Sequence, residues 1–235
     1  MKKPDWDAIH QLLQKWRKTL QAERTEEGAE KEPSVTTVAE NYSHEPWAVL
    51  VSTILSLRTK DEVTLETSRR LLAKAPGPAE LAALSEEKVA RLAYPAGFYR
   101  TKAANLKKIA AILLEQYNGE VPADMDALLA LPGVGRKTAN LVLIEAFDLP
   151  GICVDVHVHR ISNRCGWLRT ENRYGTKTPE ETEMTLREIL PKKYWKGINA
   201  LLVLYGQNLC RPISPWCSRC VIKAHCKQVG VEKNR

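Results

Sequence analysis

Apolar residues recur at helical intervals along most of this chain. Trp6, Ile9, Leu12, Leu13, Trp16 and Leu20 line one face of an amphipathic helix over residues 5–22. The stretch Glu23 to Glu32 carries five glutamates, one glycine and no apolar period, which predicts a solvated loop or local disorder. Trp47 to Leu57 is apolar almost all round, as in a helix packed on every side. Thr59-Lys60-Asp61-Glu62 reads as a capping box, Thr59 at N-cap and Glu62 at N3, opening a helix to about Ala73 that Pro76-Gly77-Pro78 stops. Short helices are predicted over 79–84 and 86–93. Leu106, Ile109, Ala110, Leu113 and Tyr117 mark a longer one, ended by Asn118-Gly119. Thr178-Pro179-Glu180-Glu181 is a second capping box with proline at N1, and Ile198 to Tyr205 reads as another buried helix. The exception is Ile152, Val154, Val156 and Val158, whose alternation by itself favours a short strand. No convincing sheet remains, so the predicted class is all-α.

With 235 residues the chain can bury a substantial core as one domain or two modest ones. Its formal charge of +7 favours an acidic partner, nucleic acid first and an anionic membrane surface second. Residues 1–40 hold 7 Lys+Arg against 8 Asp+Glu, so the remainder, with 28 against 20, carries the basic character. Met1 to Asp7 lead into no apolar signal segment, and no run of about 18 apolar residues occurs, so a soluble intracellular protein without a membrane partner is expected. Six cysteines in a reducing compartment point to ligation rather than disulfides.

Leu131-Pro132-Gly133-Val134-Gly135-Arg136-Lys137-Thr138 is the most informative segment. Leu128 and Leu129 precede it and Leu141 to Ile144 follow, so a turn between two buried helices is predicted. Gly133 and Gly135 can adopt positive φ and let backbone N–H groups face an anion such as phosphate; an ordinary turn with a C-cap glycine is the plainer alternative. Helix stability does not explain Lys137, because a first-turn cation faces the positive end of the helix dipole. That placement beside Arg136 instead favours the neutral amine that a Schiff-base nucleophile requires. Cys210, Cys217, Cys220 and Cys226 follow C-x6-C-x2-C-x5-C, a metal-binding set. Only one of its gaps fits the short knuckles usual for structural zinc. Cys153 and Cys165 lie outside the pattern and read as small buried side chains.

The turn GVGRKTA, the segment VDVHVHR around Asp155, eighteen residues past Lys137, and the cysteine spacing together resemble the endonuclease III family of DNA glycosylases across roughly residues 40–228. The resemblance implies a two-domain helix-hairpin-helix fold. A six-helix domain over 39–149 would hold the hairpin at 131–139, and residues 1–38 with 150–235 would form a helical domain carrying a [4Fe-4S] cluster on the four cysteines, with zinc as the alternative. It also replaces the strand near Val154 by an extended segment and then a helix starting close to Asp155. Lys137 and Asp155 are the implied catalytic pair, at a cleft between the domains, and His157 and His159 are expected to pack or bond locally.

Gly133, Val134, Gly135 and Arg136 would meet DNA phosphate, and Arg211, with Arg219 and Lys223, would do so from the cysteine loop. Arg58 and Phe98 occupy the positions of the family's glutamine and leucine wedges, and both depart from the family's residues. The adenine-removing mismatch branch lacks the lysine and the thymine-removing branch typically carries tyrosine, so Lys137 points to a lyase-competent enzyme. The implied activity is a bifunctional glycosylase and apurinic/apyrimidinic lyase on oxidised pyrimidines in duplex DNA. A mismatch-directed glycosylase with weak lyase activity and a non-catalytic iron-sulfur DNA-binding module are the alternatives. A cytoplasmic monomer, nucleoid-associated if prokaryotic, is expected.

Overall fold

The computed structural model describes residues 4–24, 34–170 and 173–235. The acidic stretch Glu23 to Glu32 falls almost entirely outside them. Contacts divide the chain into two units, Met1–Glu30 with Pro150–Arg235, and Lys31–Leu149.

Helix α1 (Trp6–Arg24) opens the first unit. The second follows with α2 (Ser34–Asn41), α3 (Pro46–Ser56), α4 (Asp61–Leu72), α5 (Pro78–Ala83), α6 (Glu86–Ala93), α7 (Tyr99–Gln116), α8 (Met125–Leu129) and α9 (Arg136–Phe147). Helix α3 sits at its centre because it can: Trp47 to Leu55 are all buried, and α2, α4, α7 and α9 pack around it. Its entry is fixed by Pro46 in the first turn and by Glu45, whose carboxylate accepts from the Ala48 N–H at 2.7 Å.

The first unit resumes with α10 (Val156–Cys165), a two-stranded antiparallel ladder of β1 (Arg169–Thr170) and β2 (Arg173–Tyr174), α11 (Pro179–Ile189) and α12 (Trp195–Asn208). Trp6, Ile9 and Leu13 of α1 share a core with Val158 and Ile161 of α10, Leu186 of α11, Leu201 and Tyr205 of α12, and Ile222 from the cysteine loop. Among the described residues no helix is long and apolar enough to cross a membrane.

Three expectations change, and one ambiguity is resolved. The domain boundary at 38/39 moves toward the N-terminus, because Val35, Val38 and Ala39 bury themselves in the second unit's core and α2 packs on α3, α4 and α9. Thr59 does not cap α4; Lys60 is the N-cap, and the Thr59 hydroxyl is taken by the Gly97 N–H at 3.0 Å and the Lys102 ammonium at 2.8 Å. At 152–158, where alternation alone favoured a strand and the resemblance a helix, Asp155 starts a helix as the resemblance implies. The only ladder among the described residues is β1 with β2, two residues each, too short to leave a sequence period. Thr178 does cap α11, accepting from the Glu181 N–H at 3.2 Å.

Candidate functional site

The hairpin between α8 and α9 is built from backbone. Leu131 N–H donates to Leu128 O and Val134 N–H to Leu131 O, both at 3.1 Å, and Gly133 takes φ +80° between them. Val134 turns its side chain inward at 7% exposure, which anchors the turn. The two glycines serve different ends. A Cβ on Gly133 would run into the Asn105 amide of α7, whereas one on Gly135 would meet no heavy atom within 4 Å. Gly135 caps α9 with extended backbone and no side chain. Arg136 and Lys137 fill the first turn, where Lys137 is exposed while Thr138, Ala139 and Asn140 are buried, so the amine stands on the outer side of α9.

Arg58 and Phe98, 40 residues apart in sequence, come together in the same unit. The Arg58 guanidinium lies 5.6 Å from the Phe98 ring centroid, and both residues hold left-handed backbone at φ 53° and 57°. Non-glycine residues adopt that region rarely and at a cost. Gly97 lets the two corners touch, since a Cβ there would collide with the Arg58 carbonyl. Phe98 remains 63% exposed. Beneath the pair, Lys102 is buried, and that burial lowers its ammonium pKa to about 8.

Asp155 belongs to the other unit as N-cap of α10, its Oδ1 accepting from the His157 and Val158 N–H groups at 2.8 and 2.9 Å. The carboxylate therefore has a fixed orientation, set by the helix it starts. Both nearby histidines bond locally. His159 Nδ1 lies 2.7 Å from the Thr182 hydroxyl, and burial holds its imidazole below the usual range; His157 Nδ1 lies 3.1 Å from the Arg160 guanidinium.

The same helix holds the cysteine loop. Arg160 donates to Cys210 O and Gly206 O, and Arg164 donates to Arg211 O and Pro212 O, each of the latter at 2.6 Å. Cys210, Cys217, Cys220 and Cys226 line one pocket with Cys165, Tyr205, Trp216 and Ile222. Burial, then the charges of neighbouring cysteines, pushes the Cys217 thiol up, and burial raises Cys220. Cys226 is held down to about 7, chiefly by a hydrogen bond from Cys165. Tyr205, 1% exposed, donates from its hydroxyl to Cys220 Sγ at 3.2 Å and accepts from Val221 N–H at 3.1 Å. Arg211 is exposed at the loop's start. Sequence reasoning missed Lys102, Arg160, Arg164, Tyr205 and the place of Cys165 in the pocket. Each acts through partners distant in sequence, and only the VDVHVHR segment drew notice to one of them, Arg160.

Comparison with known proteins agrees with this assembly of features. Residues 51–192 match the HhH-GPD superfamily of base excision DNA repair proteins. Endonuclease III of Thermotoga maritima is 46% identical over 183 residues, covering 78% of this chain and 83% of that protein. Endonuclease III homolog 1, chloroplastic, of Arabidopsis thaliana is 45% identical, and the chain spans about half (48%) of its length. A solved structure of a trapped covalent endonuclease III–DNA intermediate superposes with a TM-score of 0.69 at 37% identity, covering 78% of this chain and 84% of that one. The chain belongs to the HhH-GPD superfamily of base excision DNA repair proteins, among the endonuclease III proteins.

Proposed function

We propose that this protein is a DNA glycosylase and apurinic/apyrimidinic lyase that removes oxidised pyrimidines from duplex DNA, with Lys137 as nucleophile and Asp155 as its acid–base partner. The observation that carries the reading is an exposed amine in the first turn of α9, directly after a glycine cap with open space in front of it. That space suits the close approach of a phosphate backbone, and the N-terminus of α9 favours an anion there.

Lys137 Nζ, as a neutral amine, attacks C1′ of the extruded nucleotide. The glycosidic electron pair leaves with the base, which takes up a proton, and the sugar ring opens to an imine on Lys137. Asp155 steadies the positive charge that develops on the sugar and relays the proton, a division of labour shared with glycoside hydrolysis. Loss of a proton from C2′ then expels the 3′ phosphate by β-elimination, and water releases the amine.

Extrusion leaves a gap in the duplex. Arg58 and Phe98 would fill it, Phe98 as an aromatic wedge, while Gly133, Gly135, Arg136 and Arg211 contact the phosphates and Val134 anchors the turn from inside. A damaged base or an abasic site pairs poorly and costs less to extrude. A single chain carries all of these groups, which suits action as a monomer.

The four loop cysteines would hold a [4Fe-4S] cluster, whose iron–sulfur bonds would cross-link residues 210–226. The donor set fits it: the four cysteines line one pocket together with the apolar side chains of Ile161, Leu209, Trp216 and Ile222.

Duplexes carrying single lesions, with and without borohydride, test the reading. Thymine glycol is expected to be released and the protein trapped on the DNA. Lys137→Ala should lose trapping yet keep most of its salt-dependent binding, because one side chain is a small share of the phosphate contacts. Equal trapping by the two proteins would remove Lys137 from the mechanism, and preference for a guanine mismatch would favour a mismatch-directed glycosylase.

A further inference from the structure

Lys102 stands in the first turn of α7 at 5% exposure, with its ammonium turned under the Arg58 corner. Its Nζ donates to Leu55 O at 2.7 Å, Leu57 O at 2.6 Å and Thr59 Oγ1 at 2.8 Å. An ammonium has three N–H donors, and all three are matched by oxygens from the end of α3 and the corner after it. The last carbonyls of a helix lack partners within it, so this cation closes a terminus that would otherwise need water or a cap.

The same residue also fixes the second corner. Lys102 N–H donates to Phe98 O at 3.0 Å, and Gly97 N–H donates to the Thr59 hydroxyl at 3.0 Å. Packing alone does not call for a charge here, since burying an ammonium is costly and a methionine of similar length fills comparable space. What the charge adds is a link between two left-handed corners 40 residues apart in sequence.

We propose that Lys102 is a positioning residue for base extrusion, locking the Arg58 and Phe98 corners into one preformed two-residue probe that meets the duplex as a unit. A probe held in place before binding avoids ordering two exposed corners on the DNA, which otherwise weakens the complex and slows the step that depends on it. The proposal rests on the duplex-filling roles given to Arg58 and Phe98 above.

A double-mutant cycle on the full-length, cluster-loaded protein tests it. Single-turnover release of thymine glycol from duplex DNA is compared for the wild type, Lys102→Met, Phe98→Ala and the double variant. Borohydride trapping on an abasic site in single-stranded DNA, which has no opposite strand to fill, serves as the reference readout. Lys102→Met is expected to slow duplex release by roughly 10- to 100-fold and to leave single-strand trapping unchanged, and the double variant should be no slower than Phe98→Ala.

Losses that multiply in the double variant, or an equal loss on single-stranded DNA, would overturn the proposal. So would a normal duplex rate for Lys102→Met while Phe98→Ala is slow. A normal rate for Phe98→Ala would instead count against the wedge role on which the proposal rests. Where Lys102→Met fails to fold, Thr59→Val removes one acceptor together with the Gly97 contact and is expected to give the same pattern.

Discussion

Gly133 and Gly135 share one turn yet answer to different constraints. Gly133 needs its missing Cβ for the fold: φ is +80°, and the Asn105 amide occupies the space a side chain would take. Gly133→Ala is therefore expected to lower stability by about 1–2 kcal/mol from the left-handed backbone alone, with the clash adding to it, visible as a drop in Tm. Gly135 has φ −97° and open space, so nothing inside the protein forbids a methyl group there. Gly135→Ala should cost no more stability than the about 1 kcal/mol of placing alanine at a helix N-cap, while weakening duplex binding, measured across a salt titration. A larger loss of stability, or undiminished binding, would show that this glycine serves the fold and not the partner. The amino-acid string marks both glycines alike. Only the neighbour from α7 separates them, and no local pattern announces that neighbour.

The elements themselves were largely legible, because helices leave periods and caps within a few residues of one another. The predicted segments at 79–84 and 86–93 appear as α5 and α6, and Thr178 caps α11. Thr59 shows the limit. Its sequence fits a capping box, yet its hydroxyl bonds Gly97 and Lys102, 38 and 43 residues away, and such competition leaves no trace in the local pattern.

The start of α10 shows a related ambiguity, since alternating valines suit a strand while Asp155 suits a helix N-cap, and the structure has the helix. The Asp155 carboxylate caps α10, and in the proposed mechanism it also assists base release. Asparagine is a good N-cap without charge, so Asp155→Asn is expected to keep Tm near wild type while base release falls on the order of 10²–10⁴-fold, the range of general acid–base assistance. Asp155→Ala should lose activity and about 1 kcal/mol of helix capping as well. A fully active Asp155→Asn would reduce the residue to a cap.

At the scale of the whole molecule, the two hydrophobic cores share no buried residue among those described: one is centred on α3 and the other lies among α1, α10, α11 and α12. The cysteine loop depends on the second alone. Backbone bonds tie it to α10 through Lys227 N–H to Cys165 O and Val229 N–H to Arg164 O, and close it on itself, as in Arg235 N–H to Pro215 O. Side chains from α10 and α12 supply the rest through Arg160, Arg164 and Tyr205. Regular structure in the loop is limited to the 3₁₀ turns Cys217–Arg219 and Lys223–His225, so ligation of the four sulfurs in the proposed cluster would add a strong constraint on its shape. Iron chelation, or Cys217→Ser, is therefore expected to raise amide exchange across residues 205–235 and into α10 while the α3 core stays protected, as read by hydrogen exchange with mass spectrometry. Exchange rising together in both units would mean that the cluster supports the entire chain. Unchanged exchange in the loop would mean that α10 and α12 hold it without metal, and the four cysteines would then need another explanation.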